Sequence, residues 1–155
     1  MDKKWDIRFL EDAARYAQWG KDPSTKVGAV IAKEKEPLSR GYNGFAPKVK
    51  DTEERLNTKS IKYMLTIHAE ENAIFRAYKS RPWDLEGSTI YVYPYFTCAS
   101  CASKIITAGI KRVVVPTSAL VFPEHWSESF QLAMEIYEEA GVIVETIEDQ
   151  YITLP

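Results

Sequence analysis

The sequence predicts an α/β fold in one domain over residues 1–155, and three observations carry that expectation. Segments with apolar residues spaced by three and four alternate with short β-branched runs, the order in which helices layer onto a sheet. A length of 155 residues with 45% apolar content allows roughly 70% of the unfolded surface to be buried around a single core. No Gly/Ser-rich or Pro-rich linker divides the chain, and no internal repeat is visible.

The elements follow in order. Phe9, Leu10, Ala13, Tyr16 and Ala17 form one stripe of a helix that ends near Gly20. Lys21-Asp22-Pro23-Ser24-Thr25 is turn chemistry, and the apolar run 27–32 after it reads as a buried strand. Glu34-Lys35-Glu36-Pro37 turns the chain into a second strand over 38–42. The polar stretch 43–60 reads as a long loop, and a helix is expected over 61–78, stopping ahead of Arg81-Pro82. Residues 89–96 read as a strand in which Pro94, with no N–H to donate, marks an edge, a bulge or an end. A helix over 98–108 closed by Gly109, a strand over 111–115, a helix over 127–140 closed by Gly141 and a strand over 142–147 complete the alternation.

Charge narrows the function classes. Lys and Arg total 20 against 22 Asp and Glu, for a net charge of −2, and no run of five like charges occurs, which argues against long nucleic acid as a partner. No apolar stretch approaches the length of a membrane span, and the first residues mix acids, bases and apolar side chains. The expectation is a soluble protein of a reducing compartment: the cytoplasm, or a host's cytoplasm for a viral chain. Cys98 and Cys101 are the two cysteines, too close in sequence to staple the fold.

Chemistry concentrates in two short motifs. His68-Ala69-Glu70 sits at or near a helix start, and Cys98-Ala99-Ser100-Cys101 opens the next helix with its sulfurs one turn apart. A C-x-x-C pair fits a redox dithiol, half of a structural zinc site, or part of a catalytic one. With His68, Cys98 and Cys101 as the nitrogen and sulfur ligands at hand, the count is three, which leaves a fourth zinc position open to water. Helix N-termini favour thiolates, and zinc lowers the pKa of bound water from about 15.7 toward 7. Glu70, two residues from His68, is then placed to move protons between that water, a ring nitrogen and a departing amine. As a bland alternative, Glu70 is a solvated helix-start acid, His68 a hydrogen-bonded core histidine, and Asn43 only a turn residue.

H-x-E followed by P-C-x-x-C is the signature of zinc-dependent nucleobase deaminases, and the chain resembles the cytidine/deoxycytidylate deaminase superfamily, closest to its dCMP branch. The resemblance rests on those motifs and on Lys21-Asp22-Pro23-Ser24-Thr25-Lys26-Val27-Gly28-Ala29-Val30, Gly41-Tyr42-Asn43-Gly44, His68-Ala69-Glu70-Glu71-Asn72-Ala73-Ile74 and Ala108-Gly109-Ile110-Lys111, running from about residue 5 to 115. It implies a three-layer α/β/α sandwich on a mixed five-stranded sheet. It also implies one Zn²⁺ held by His68, Cys98 and Cys101, Glu70 as general acid/base, and substrate contacts from Asn43 and Ala69. The activity implied is hydrolysis of a free cytosine nucleotide, dCMP to dUMP plus ammonia. Alternatives are a deaminase of another amino-bearing base (5-modified dCMP, dCTP or a tRNA adenine) and a non-catalytic, zinc-stabilised nucleotide-binding module.

A phosphate needs cationic or N–H donors, for which Ser24, Thr25 and Lys26 stand first, then Arg55 and Lys48. Tyr93, Tyr95 and Phe96 are candidates for a wall against the base, and His125 for the rim. The resemblance further implies a homo-oligomer such as a hexamer. It implies dCTP and dTTP as effectors near residues 41–51, with Mg²⁺ accompanying a triphosphate. Two departures stand out. Thr97 replaces the usual proline before the first cysteine, where its hydroxyl is expected to cap the helix, and the segment 116–126 differs from the family's usual Tyr-His-Asp type.

Overall fold

The computed structural model describes residues 2–155. Its helices are α1 (Lys3–Ala17), α2 (Glu53–Asn57), α3 (Lys59–Leu65), α4 (Ala69–Ser80), α5 (Ala99–Thr107) and α6 (Ser127–Ala140). The strands are β1 (Gly28–Lys33), β2 (Glu36–Tyr42), β3 (Thr89–Tyr93), β4 (Arg112–Pro116) and β5 (Ile143–Ile147). They form one mixed sheet in the order β2-β1-β3-β4-β5: β1 is antiparallel to both neighbours, whereas β3, β4 and β5 run parallel.

Strand side chains alternate between faces, and that alternation divides the core in two. Val30, Ala32, Tyr91 and Val114 meet Phe9, Leu10 and Ala13 of α1. Their neighbours Ala29, Ile31, Ile90, Val92, Val113 and Val115 point the other way, onto α4, α5 and α6. The result is the three-layer sandwich. Two glycines set the spacing of its layers. A Cβ on Gly28 would lie 1.9 Å from the Ala13 carbonyl oxygen of α1, and one on Gly41 would lie 2.4 Å from the Ala69 carbonyl oxygen of α4. Only a residue without a side chain lets both helices seat that closely.

Three expectations need correction. The stretch 43–60 is not all loop, because Thr52 caps α2 through its hydroxyl and α3 starts at Lys59. The helix expected over 61–78 is two helices, α3 and α4. Ile67 and Gly44 exchange two backbone hydrogen bonds as an isolated bridge, which holds 66–68 extended between them. No Pro or Gly marks that break; a long-range pairing imposes it. β3 ends at Tyr93, so Pro94 lies past a strand end.

Register fixes where the chemistry gathers. Gly28 pairs with Tyr42 on one side and Tyr93 on the other, so the residues before β1, after β2 and after β3 all leave the sheet at one end. β4 runs parallel to β3 and delivers the segment after Pro116 to that same end. No described helix is long and apolar enough to cross a membrane.

Candidate active site

α4 and α5 begin side by side at this end of the sheet. The Gly44–Ile67 bridge leaves His68 extended (φ −69°, ψ 156°) as the N-cap of α4, outside the helix. Cys98 is the N-cap of α5, and its Sγ accepts from the Cys101 N–H at 3.4 Å, so the two sulfurs share one helix turn. The cap expected from Thr97 is therefore made by Cys98. The Thr97 hydroxyl, fully buried, instead shares a 2.7 Å hydrogen bond with the Tyr137 hydroxyl of α6. The free Ala99 N–H at the helix start donates to Ser129 Oγ at 2.9 Å.

His68 Nδ1 lies 3.5 Å from Cys98 Sγ and 3.3 Å from Cys101 Sγ. A tetrahedral zinc with Zn–N near 2.0 and Zn–S near 2.3 Å separates such donors by about 3.6 Å, so the three atoms fit that ion with little movement. Among the described residues, this is the cluster of three or more His, Cys, Asp or Glu side chains close enough to hold a metal. Trp126 meets the His68 ring edge-on at 6.2 Å and stacks on Phe130, which fixes the imidazole plane from behind.

Protons and metal compete for these donors. A hydrogen bond from Cys101 brings the Cys98 thiol down to about 4, helped by the bond with His68, while Cys101 is pushed far up by that same bond and by burial. His68 is raised to about 9, first by its hydrogen bond with Cys98. The set thus already favours one thiolate next to a cation, the charge distribution a divalent ion replaces.

Glu70 occupies the first turn of α4 and is 4% exposed. Burial pushes its carboxyl from 4.5 up to about 7, against the pull of His68. A buried carboxyl poised near neutrality beside the donor set is suited to taking and giving protons. The reading of Glu70 as a solvated acid is overturned by this burial. Glu71 is the half-buried one, paired with Lys104 at 3.4 Å.

A cavity of about 390 Å³ opens above these groups. Ala69, Thr25 and Asn43 line it, whereas Ser24 and Lys26 are exposed and lie outside its lining. Asn43 is 5% exposed and ties the loop before β1: its Oδ1 accepts from Val27 N–H at 2.8 Å, and its Nδ2 donates to the Thr25 carbonyl at 2.9 Å. One amide hydrogen remains for a ligand. Tyr95 and Phe96 line the cavity, but Tyr93 packs toward the α1 side of the sheet. Arg55 lies on exposed α2, donating to the Lys50 carbonyl.

Sequence reasoning missed Asp22, Lys62, Trp126 and Phe130 as cavity residues, whereas His125, a candidate for the rim, does line the cavity. The Asp-Pro turn was the available signal for Asp22, whose Oδ1 accepts the N–H groups of Ser24 and Thr25. Nothing local signals Lys62 or Trp126, because only the tertiary fold brings their elements to the cavity.

A model of the cytidine and deoxycytidylate deaminase zinc-binding region matches residues 3–117. The chain belongs to this deaminase family. It is 42% identical over 144 residues to an uncharacterized deaminase in the luxG 3′ region of Aliivibrio fischeri, covering 93% of this chain and 94% of that protein. It is 34% identical to the mouse deoxycytidylate deaminase over 96% of this chain and 82% of the mouse protein. Among solved structures, the dCMP deaminase of cyanophage S-TIM5 in complex with dCMP and dUMP superposes with a TM-score of 0.72. That match covers 95% of this chain and 99% of the phage chain at 22% identity, a likeness of fold. The α/β sandwich expected from the resemblance is thereby that of the family, and the matched region is the family's zinc-binding one.

Proposed function

We infer that this deaminase hydrolyses a free cytosine nucleotide, with dCMP as substrate, to dUMP and ammonia. The observation that carries the reading is the buried Glu70 carboxyl beside the His68, Cys98 and Cys101 donor set on the wall of the cavity. The names of the mouse and cyanophage proteins support the choice of dCMP.

When bound by His68, Cys98 and Cys101, zinc supplies the Lewis acidity that makes hydroxide available near neutral pH. The chain's own residues do the rest. Glu70 takes a proton from water as the oxygen adds to C4 of the cytosine and gives it to N3; it then takes the proton of the new C4 hydroxyl and hands it to the exocyclic amine, so that the C4–N bond breaks, C4=O forms and ammonia leaves. Burial serves this role twice: it holds the carboxyl near neutrality and keeps bulk water from competing for the proton. Phe96 and Trp126 offer apolar walls for the ring, and the remaining Asn43 amide hydrogen faces the sugar.

The same reading takes the chain as one deaminase domain, a cytoplasmic homo-oligomer under dCTP and dTTP control, and its support is the family resemblance. The Mg²⁺ expected with a triphosphate effector has no support in the described metal-ligand cluster. Zinc-loaded protein offered dCMP, CMP, dCTP, deoxycytidine and 5-methyl-dCMP should release ammonia with the highest kcat/KM on dCMP. A fully zinc-loaded preparation inert toward all five overturns the reading.

A further inference from the structure

One buried charge on the cavity wall has no part in the deamination chemistry. Lys62 of α3 is 7% exposed and lines the cavity. Its Nζ donates to Asp22 Oδ1 at 3.1 Å. An ammonium has three N–H donors, and Asp22 takes one. That carboxylate oxygen also accepts the backbone N–H groups of Ser24 and Thr25, at 2.8 and 3.1 Å, so its charge is divided among three donors. A buried ammonium is stable only when its donors are met by anions or other acceptors. The Tyr63 ring, its centroid 5.9 Å from Nζ, offers a π face but no hydrogen-bond acceptor of comparable strength, so two N–H donors face whatever the cavity holds.

The surroundings say which chemistry would meet them. Among the described residues lining the cavity, Lys62 is the sole Lys or Arg; Thr25, Tyr63 and Thr66 line it too, the Thr66 hydroxyl donating to the Lys62 carbonyl at 2.7 Å. The cations the sequence pointed to are elsewhere: Lys26 is exposed outside the lining, and Arg55 is occupied by the Lys50 carbonyl on exposed α2. A phosphate monoester is the part of a nucleotide that demands such a charge.

We propose that Lys62, held in place by Asp22, binds the 5′-phosphate of the nucleotide and makes the site prefer a nucleoside monophosphate over the bare nucleoside. The proposal rests on the cytosine-nucleotide reading above. A nucleoside leaves the buried ammonium with donors unmet, and that penalty is the source of the selectivity. The competing role, a staple tying α3 to the 22–25 turn, serves every substrate equally.

The test measures kcat/KM of the zinc-loaded full chain for dCMP and for deoxycytidine in the wild type, K62Q and H125A. In K62Q the dCMP-to-deoxycytidine ratio falls by roughly 30- to 100-fold, mainly through the KM for dCMP, as expected for losing a charge-assisted hydrogen bond. A ratio that stays put while both substrates slow equally overturns the proposal in favour of the staple. A ratio that collapses in H125A and holds in K62Q assigns the phosphate to His125 and overturns it too. Wild type inert on both substrates overturns the functional reading itself, whereas wild type equally efficient on both overturns Lys62 alone. Should K62Q not fold, wild-type protein carrying ¹³C-lysine is titrated with dUMP and with deoxyuridine. The Lys62 Cε resonance moves with dUMP and not with deoxyuridine, and a resonance that ignores dUMP overturns the proposal.

Discussion

The metal side of the cavity is assembled from the starts of two helices. The Lys62 side is assembled from a turn, a short helix and the loop after β2. On the first, His68 and Cys98 are both N-caps and Cys101 and Glu70 follow within one turn, so four functional groups are placed by the backbone of two helix starts, the first of them set by the Gly44–Ile67 bridge. On the second, Asp22, Asn43 and Lys62 come from segments 19 to 40 residues apart and are held by side-chain hydrogen bonds between them and the 22–27 backbone. Helix starts give the reacting groups rigid positions, while the loop-built side has the freedom to differ in what it recognises. Substitutions on the metal side should therefore abolish the chemical step, and those on the loop side should change substrate use and stability.

The largest expected effect comes from E70Q. It keeps the shape of the side chain and the three zinc donors but cannot take a proton, so turnover should fall by about 10³-fold or more while metal content stays at one zinc per chain. Ammonia release together with elemental analysis checks both halves. Loss of zinc along with activity would show that Glu70 supports the metal and does not merely face it.

A pH measurement on zinc-free protein sharpens the same point. The Glu70 carboxyl rises from 4.5 to about 7 on folding, so the folded state binds its proton more tightly than the unfolded state does. Stability therefore falls as pH climbs from about 4.5 to 7 and levels off above. E70Q removes that loss and should be more stable than wild type by about 3 kcal/mol above pH 7, a gap that closes below pH 4.5. Urea unfolding at pH 4 and pH 8 reads the difference, and equal gaps at both would refute the assignment of a buried, poised carboxyl.

The two sides also differ in how far the sequence reveals them. His68 and Glu70 are two residues apart and Cys98 and Cys101 three, so each pair falls within the cap and first turn of one helix start. The five strands and the outer helix were legible because period and turn chemistry are local, whereas the three layers were implied by the family resemblance. The break at 66–68 was not, because the Gly44–Ile67 bridge that causes it joins residues 23 positions apart. Lys62 was hidden by that same error, since a single helix over 61–78 gives no reason for this lysine to face inward. The segment 116–126 looked like a mere departure from the family pattern, yet it carries Pro123, His125 and Trp126 into the cavity lining. Its placement depends on β4 running parallel to β3, which composition does not specify.

Asn43 sits between the two regimes: it lines the cavity and also fastens the loop before β1. N43A removes the partner of the Val27 N–H and of the Thr25 carbonyl, both in part-buried hydrogen bonds, and should cost about 1–2 kcal/mol of stability. Its kcat/KM on dCMP should drop about tenfold, roughly 1.4 kcal/mol of transition-state stabilisation. Thermal unfolding and steady-state kinetics on the same preparation separate the two. A stability loss with unchanged kinetics would make Asn43 a turn residue only, and the loop side would lose its sugar contact.

The smallest effect tests how the metal side tolerates a threonine where the nucleobase-deaminase signature has proline. Thr97 is fully buried and its hydroxyl has Tyr137 as partner, so the residue fastens the loop before Cys98 to α6 with a hydrogen bond where a proline ring would restrict the backbone directly. Y137F strands the Thr97 hydroxyl and should cost about 1–2 kcal/mol. T97V strands the Tyr137 hydroxyl at a comparable cost. The double variant removes both polar groups together, so its loss should be smaller than the sum of the single losses, with a coupling of about 1 kcal/mol in urea unfolding. Strict additivity would mean that each hydroxyl is satisfied elsewhere, and the helix start that carries both sulfurs would then owe its position to Ser129 and the Cys98 cap alone.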